Sequence, residues 1–109
     1  MATRATETID TDGLIATYHA ASGGGDKVNP GNGVGVHVKN DHATNPTNVT
    51  IATPGTVDGN LIADRVVTVA ATTAQFIAVP DLYRNPTDGL ADITWSATTT
   101  VTFAVVRIN

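Results

Sequence analysis

The chain has no cysteine, only two serines (Ser22 and Ser96), and 15% charged residues. Each shortage removes a class of chemistry. Without cysteine there is no disulfide framework, no thiolate metal site and no cysteine nucleophile, so stability has to come from packing alone. Neither serine lies in a Gly-x-Ser-x-Gly turn, the sequence mark of a strained nucleophile elbow. Lys+Arg number 6 against Asp+Glu 10, a net charge of -4. The clustered cations that a phosphate backbone or an anionic membrane requires are therefore missing, and neither nucleic acid nor membrane is expected as a partner. No apolar run approaches the ~20 residues of a bilayer-spanning helix. The opening MATRATETIDTDG has no apolar centre of the kind an export signal carries, so synthesis in a cytoplasm is expected.

What is present is a chain of 109 residues with 41% hydrophobic content, enough for one core and one domain. Threonine and alanine fill the space left by the missing charges, so the polar surface is hydroxyl rather than ionic. Such a surface suits burial against another protein, because few charges lose their water when it is covered.

Apolar residues alternate with period two nearly everywhere, and no stretch sustains the i, i+3, i+4, i+7 spacing of a helix, so the elements are expected to be strands. The alternation predicts strands over 14–20 (LIATYHA), 34–39 (VGVHVK), 49–53 (VTIAT), 63–70 (ADRVVTVA), 73–79 (TAQFIAV), 90–96 (LADITWS) and 100–108 (TVTFAVVRI). In 34–39 the valines share one face while Gly35, His37 and Lys39 share the other, the pattern of a strand with one buried side. In 100–108 both faces are apolar in the second half, as in a central strand. Residues 22–33, rich in glycine with one proline, are expected to be a long exposed loop. The 34–39 and 49–53 strands are expected to pair as a hairpin. A tight turn at Ala71 and Thr72 should bring Val67 and Val69 against Phe76 or Ile77. Pro80 stops the 73–79 strand, and a brief helical turn is expected at 81–83, ahead of the turn cluster Asn85-Pro86-Thr87-Asp88-Gly89. About seven short strands separated by turn clusters predict a single antiparallel β-sandwich or jelly-roll-like domain over 13–109. Residues 1–12, with little apolar bulk, are expected to be an N-terminal arm, either flexible or an edge strand ordered by a partner.

Chemistry-bearing residues are sparse. His37, Asp41 and His42 could meet on one metal ion only if the loop after His37 folded back, and a polar-face histidine is the simpler account. The segment ETIDTDG resembles the start of a calcium loop, but the position for its bidentate glutamate, counted from Asp10, is Ala21, so Asp12-Gly13 reads as a turn. The glycine-rich stretches are followed by a valine-alternating strand rather than a helix, unlike a phosphate-binding loop. Six of the ten carboxylates sit beside glycine, asparagine or proline, where aspartate serves the backbone rather than glycoside or peptide chemistry. Asn48-Val49-Thr50 matches a glycosylation acceptor and reads as a strand start. Of the five aromatic residues, Phe76, Phe103 and Trp95 are expected in the core, and Tyr83 is the one left as a contact residue. No catalytic residue, metal site or cofactor is expected, and the chain is expected not to be an enzyme.

The second half of the chain carries Val66-Val67-Thr68-Val69-Ala70, Gln75-Phe76-Ile77, Val79-Pro80-Asp81-Leu82-Tyr83-Arg84-Asn85, Asp88-Gly89-Leu90, Ile93-Thr94-Trp95-Ser96-Ala97 and Val101-Thr102-Phe103-Ala104-Val105. Preceded by Gly23-Gly24-Gly25-Asp26 and Val36-His37-Val38-Lys39-Asn40, this order resembles small structural proteins of tailed bacteriophages. The resemblance spans most of 14–108. It implies a non-enzymatic virion component of the capsid decoration, or cement, type, one that binds the major capsid protein at capsomer junctions and stiffens the outer shell. Such proteins are often homotrimers or other homo-oligomers. Thr3, Arg4, Thr6, Thr8 and Ile9 of the arm, with Tyr83 and Arg84, are the residues expected to contact capsid or sister subunits. A head–tail joining or tail-associated protein, a carbohydrate-binding β-sandwich and an undetected hydrolase are the alternatives.

Overall fold

The computed structural model describes residues 2–108, without the side chains of residues 56 and 57. Met1 and Asn109, the outer bounds of the expected arm and domain, lie outside the described residues. The fold is all-β. Its strands are β1 (Ala2–Arg4), β2 (Glu7–Ile9), β3 (His19–Ala20), β4 (Asp26–Val28), β5 (Val34–Asn40), β6 (Thr47–Ile51), β7 (Thr56–Val57), β8 (Asn60–Leu61), β9 (Arg65–Val69), β10 (Thr73–Ala78), β11 (Ala91–Trp95) and β12 (Val101–Ile108). A single 3-10 turn at Asp81–Tyr83 stands where the helical turn was expected.

Two five-stranded sheets hold most of these strands. The first runs β1-β4-β11-β6-β9; the second runs β10-β5-β12-β2, with β3 also beside β12. The pairings are antiparallel except at the N-terminus, where β1 lies parallel to β4 and β2 parallel to β12. A purely antiparallel sheet was expected; the N-terminal segment makes both sheets mixed because it passes from the edge of one to the edge of the other. β7 and β8 form a separate hairpin whose Asp58-Gly59 turn has positive φ at both residues, 52° and 79°, the twist that a two-residue hairpin turn requires.

Alternation explains which side chains meet. Val36 and Val38 of β5 and Phe103 and Val105 of β12 point inward from the second sheet. They join Val28, Val49, Ile51, Val69 and Ile93 of the first in one buried cluster. β12 is central, flanked by β5 on one side and by β2 and β3 on the other. Its outward residues Ala104 and Val106 are buried as well, as the doubly apolar pattern predicted.

Several expectations of pairing and position do not hold. The 34–39 and 49–53 segments are not a hairpin: β5 pairs with β10 and β12, and β6 pairs with β9 and β11. The turn at Ala71 and Thr72 does not close a hairpin either, since β9 and β10 belong to different sheets; Thr72, at φ 59°, redirects the chain between them. Val69 and Ile77 still share the core, whereas Phe76 faces solvent. The glycine-rich 22–33 loop contains β4, whose Asp26 and Val28 are buried. Only His19–Ala20 of the expected 14–20 strand is extended into a sheet. The backbone N–H of Thr17 there donates instead to the Glu7 carboxylate, at 2.7 Å.

Candidate functional site

The outer face of the second sheet is the most distinctive surface. Register puts Gly35, His37 and Lys39 of β5 beside Ala78, Phe76 and Ala74 of β10, and beside Val106, Ala104 and Thr102 of β12. Ile108 adds the next outward position on β12, opposite Ile9 of β2. Phe76 is 73% exposed and Ile108 70%. Between them runs a groove of about 610 Å3 lined by Ile9, Gly35, Phe76, Ala78, Val106 and Ile108. Gly35 forms its floor, and a Cβ there would lie 3.1 Å from the Ile77 carbonyl oxygen, so the trench exists because this strand position has no side chain.

An aromatic cluster closes the other end of that face. Tyr18, next to β3, crosses β12 at the level of Ala104 and shares a 2.7 Å hydrogen bond between its Oη and His37 Nδ1. The His37 ring stacks on Phe76 with centroids 4.1 Å apart and planes 21° from parallel. Lys39 Nζ sits 4.4 Å from the centre of the Tyr18 ring, a cation–π contact. Burial, and then the positive charge of Lys39, push the His37 imidazole below its ordinary value of 6.5. Ile15, on the segment leading to Tyr18, is 96% exposed.

The titratable side chains that the structure brings together hold elements in place. Asp26 is wholly buried and accepts four hydrogen bonds. Its Oδ1 takes Arg4 Nε (3.2 Å) and the Ser22 hydroxyl (3.0 Å); its Oδ2 takes the Ser22 N–H (3.0 Å) and Trp95 Nε1 (2.9 Å). That network ties β1, β4 and β11 together at one end of the first sheet. On the outer side of the same sheet Lys27 bridges Asp88 and Asp92. These bonds raise the Lys27 ammonium above its ordinary value and hold the Asp88 carboxyl below its own. All five N–H groups of Arg84 are engaged, with Asp81 Oδ1 twice, Asn29 Oδ1 and the carbonyls of Pro30 and Gly89. Among the described residues no group of three His, Cys, Asp or Glu side chains converges as a metal site would.

The expected contact residues are dispersed. Thr3 and Thr8 are exposed; Arg4, Thr6 and Ile9 are half-buried, Arg4 by its ion pair with Asp26 and Ile9 at the groove. Tyr83, expected to be a free contact residue, is half-buried against the core. Arg84 is an internal clasp for the 29–30 and 81–89 loops. Phe76 was expected in the core and is instead the most prominent outward aromatic, because the alternation of β10 is set by Ile77 facing inward. The buried role of Asp26 was not legible either. Its one local sign was the spacing of Asp26 and Val28 on a common face. Comparisons with models of known families, with curated proteins and with solved structures find no match to this chain.

Proposed function

We propose that the protein is a non-enzymatic structural component of a phage virion, decorating and stabilising the outer surface of the capsid through contact with the major capsid protein at capsomer junctions. The observation that carries this proposal is the apolar outer face of the second sheet, where Phe76 and Ile108 stand exposed beside the groove over Gly35. Exposed apolar surface grouped on one face marks a place where another protein packs. The hydroxyl-rich remainder of the chain costs little to bury, and the sequence resemblance supplies the capsid as the partner. The two sheets around one core fit a β-sandwich, with jelly-roll-like connectivity as the finer form of that architecture. Self-association into a trimer or another closed homo-oligomer is part of the same proposal.

The test is co-sedimentation of the purified protein with expanded capsids, together with its copy number on virions by quantitative mass spectrometry. Decoration requires capsid-scale stoichiometry, and Phe76→Asp combined with Ile108→Asp should abolish sedimentation while leaving the far-ultraviolet spectrum unchanged. A handful of copies per particle would move the protein to the neck or tail. Absence from virions, or full binding by the double variant, would sink the proposal.

A further inference from the structure

Most edges of the two five-stranded sheets are short or charged. β1 has three residues and ends in Arg4, β2 has three and begins with Glu7, β3 beside it has two, and β9 begins with Arg65. Short strands and charges are how a sheet avoids adding a foreign strand. β10 has neither guard. It runs for six residues, TAQFIA, without charge, proline or glycine, and its register against β5 is unbroken from Thr73 to Ala78, with no bulge to bend it away.

The direction of its backbone groups follows from the bonds beside it. The Val79 N–H donates to the Val34 carbonyl at 2.9 Å, continuing the register of β10 on β5, and the Asp41 N–H donates to the Thr100 carbonyl at 3.0 Å, continuing that of β12 on the other side of β5. Bonded and non-bonded pairs alternate along an antiparallel ladder, so Gln75 and Ile77 turn their N–H and C=O toward β5, while Ala74, Phe76 and Ala78 turn theirs to the free edge. Among the described residues no strand of the sheet lies on that side. The row of edge residues, Ala-Phe-Ala, reads the same in both directions about Phe76.

We propose that β10 pairs antiparallel with β10 of a second copy of this chain, about a two-fold axis at Phe76, so that the two second sheets join edge to edge. In that register Phe76 lies opposite the same residue of the other copy, and Ala74 lies opposite its Ala78. Every free N–H and C=O of the three residues then finds a partner. The two phenyl rings become a cross-strand aromatic pair, and no charge within β10 has to lose its water. A row that matches itself under a two-fold rotation is what an isologous contact needs; a strand from a different protein makes no use of that symmetry. The apolar outer faces of the two copies become one continuous surface, with a groove over Gly35 on each side of the axis. The inference rests on the self-association part of the reading above and not on the capsid.

The test is made on the full chain without capsids. Sedimentation velocity across a range of concentrations should show a monomer–dimer equilibrium. Amide hydrogen exchange, followed residue by residue by nuclear magnetic resonance, should slow on the order of tenfold or more at Ala74, Phe76 and Ala78 as the dimer forms. Gln75 and Ile77, bonded to β5 in both states, should change little. Ala74→Lys with Ala78→Lys sets lysines opposite each other across the axis and should weaken the dimer about tenfold or more. Ala74→Lys with Ala78→Glu sets opposite charges there and should restore it. Both positions are exposed, so neither double variant should alter the far-ultraviolet spectrum, and each controls for the other. A monomer at every concentration, or no slowing at the three amides, would overturn the proposal. Slowing that appears only when capsids are added would assign the edge to a capsid strand and overturn it as well. A trimer, or a dimer that the paired lysines leave intact, would overturn the β10 pairing while self-association stands, and none of these results decides whether the protein co-sediments with capsids.

Discussion

Asp26 shows how much of this fold rests on single polar side chains. A buried carboxylate is tolerated only when donors surround it, and here three side chains and one backbone N–H do so from two strands and a loop. Asp26→Ala leaves Trp95 Nε1, the Ser22 N–H and the Arg4 guanidinium without their acceptor, so it should lower the unfolding free energy by about 3 kcal/mol. Trp95→Phe removes a single donor and should cost about 1.5 kcal/mol. Urea denaturation of both variants checks this, and an Asp26→Ala loss no larger than that of Trp95→Phe would show that the network does not act as a unit. His37 makes a different prediction. Its imidazole is held below the ordinary value by burial and then by Lys39, so the folded chain takes up a proton less readily than the unfolded chain does. The stability due to the neutral ring is present above the ordinary value of 6.5 and declines as pH falls from there through the folded value. Urea midpoints measured from about pH 7.5 down to about 5 should therefore fall more steeply in the wild type than in His37→Gln, and parallel curves would refute the assignment.

At the scale of elements, the two glycines beside the groove are the sensitive points. Gly33 has a φ of +78° and a Cβ there would sit 3.0 Å from the Ile108 carbonyl oxygen, while at Gly35 the neighbour is the Ile77 carbonyl at 3.1 Å. Gly33→Ala meets both backbone strain and a close backbone atom and should cost about 2 kcal/mol or more. Gly35→Ala, in an ordinary extended conformation, should cost less and make the groove shallower. Thermal melts of the two variants, with Gly33→Ala the lower, test that order. The same elements show what a sequence can reveal. Val34, Val36 and Val38 announce β5 because a half-buried strand must alternate, and Phe103 with its valine neighbours announces a central strand. Which strand lies beside which was not legible, because any two alternating strands satisfy the same pattern. The turn after β9 reads equally well as a hairpin or as a step between sheets. β4 was hidden because its three residues are flanked by glycine, asparagine and proline, and because a buried aspartate reads as a loop residue unless its partners, Arg4 and Trp95, are already known. The face of Phe76 was lost for a related reason: TAQFIA alternates whichever way it is turned, and only the pairing of Ile77 with Val36 decides which side meets the core.

For the molecule as a whole, the decisive feature is that residues 2–9 edge both sheets. β1 pairs in parallel with β4 and brings Arg4 to Asp26, and β2 pairs in parallel with β12 beside the C-terminus. β2 is thereby held to β12, and the segment that looked like an arm completes the edges of both sheets. Deleting residues 1–9 uncovers the backbone of β4 and β12 and strands the buried Asp26 charge, a loss of about 4 kcal/mol. For a domain of this size that corresponds to a fall of about 20 °C in melting temperature. Weakened capsid binding by such a truncation would therefore be indistinguishable from weakened folding, which is why substitutions at Phe76 and Ile108 are the cleaner probe of the proposed capsid contact. A synthetic peptide of residues 1–12 added to the truncated chain separates the two effects, since a strand supplied in trans makes the same backbone bonds. Recovery of the melting temperature in proportion to peptide concentration is the expected result. Melting of the truncated chain at the full-length temperature would mean that the parallel edge strands contribute nothing to holding the sheets together.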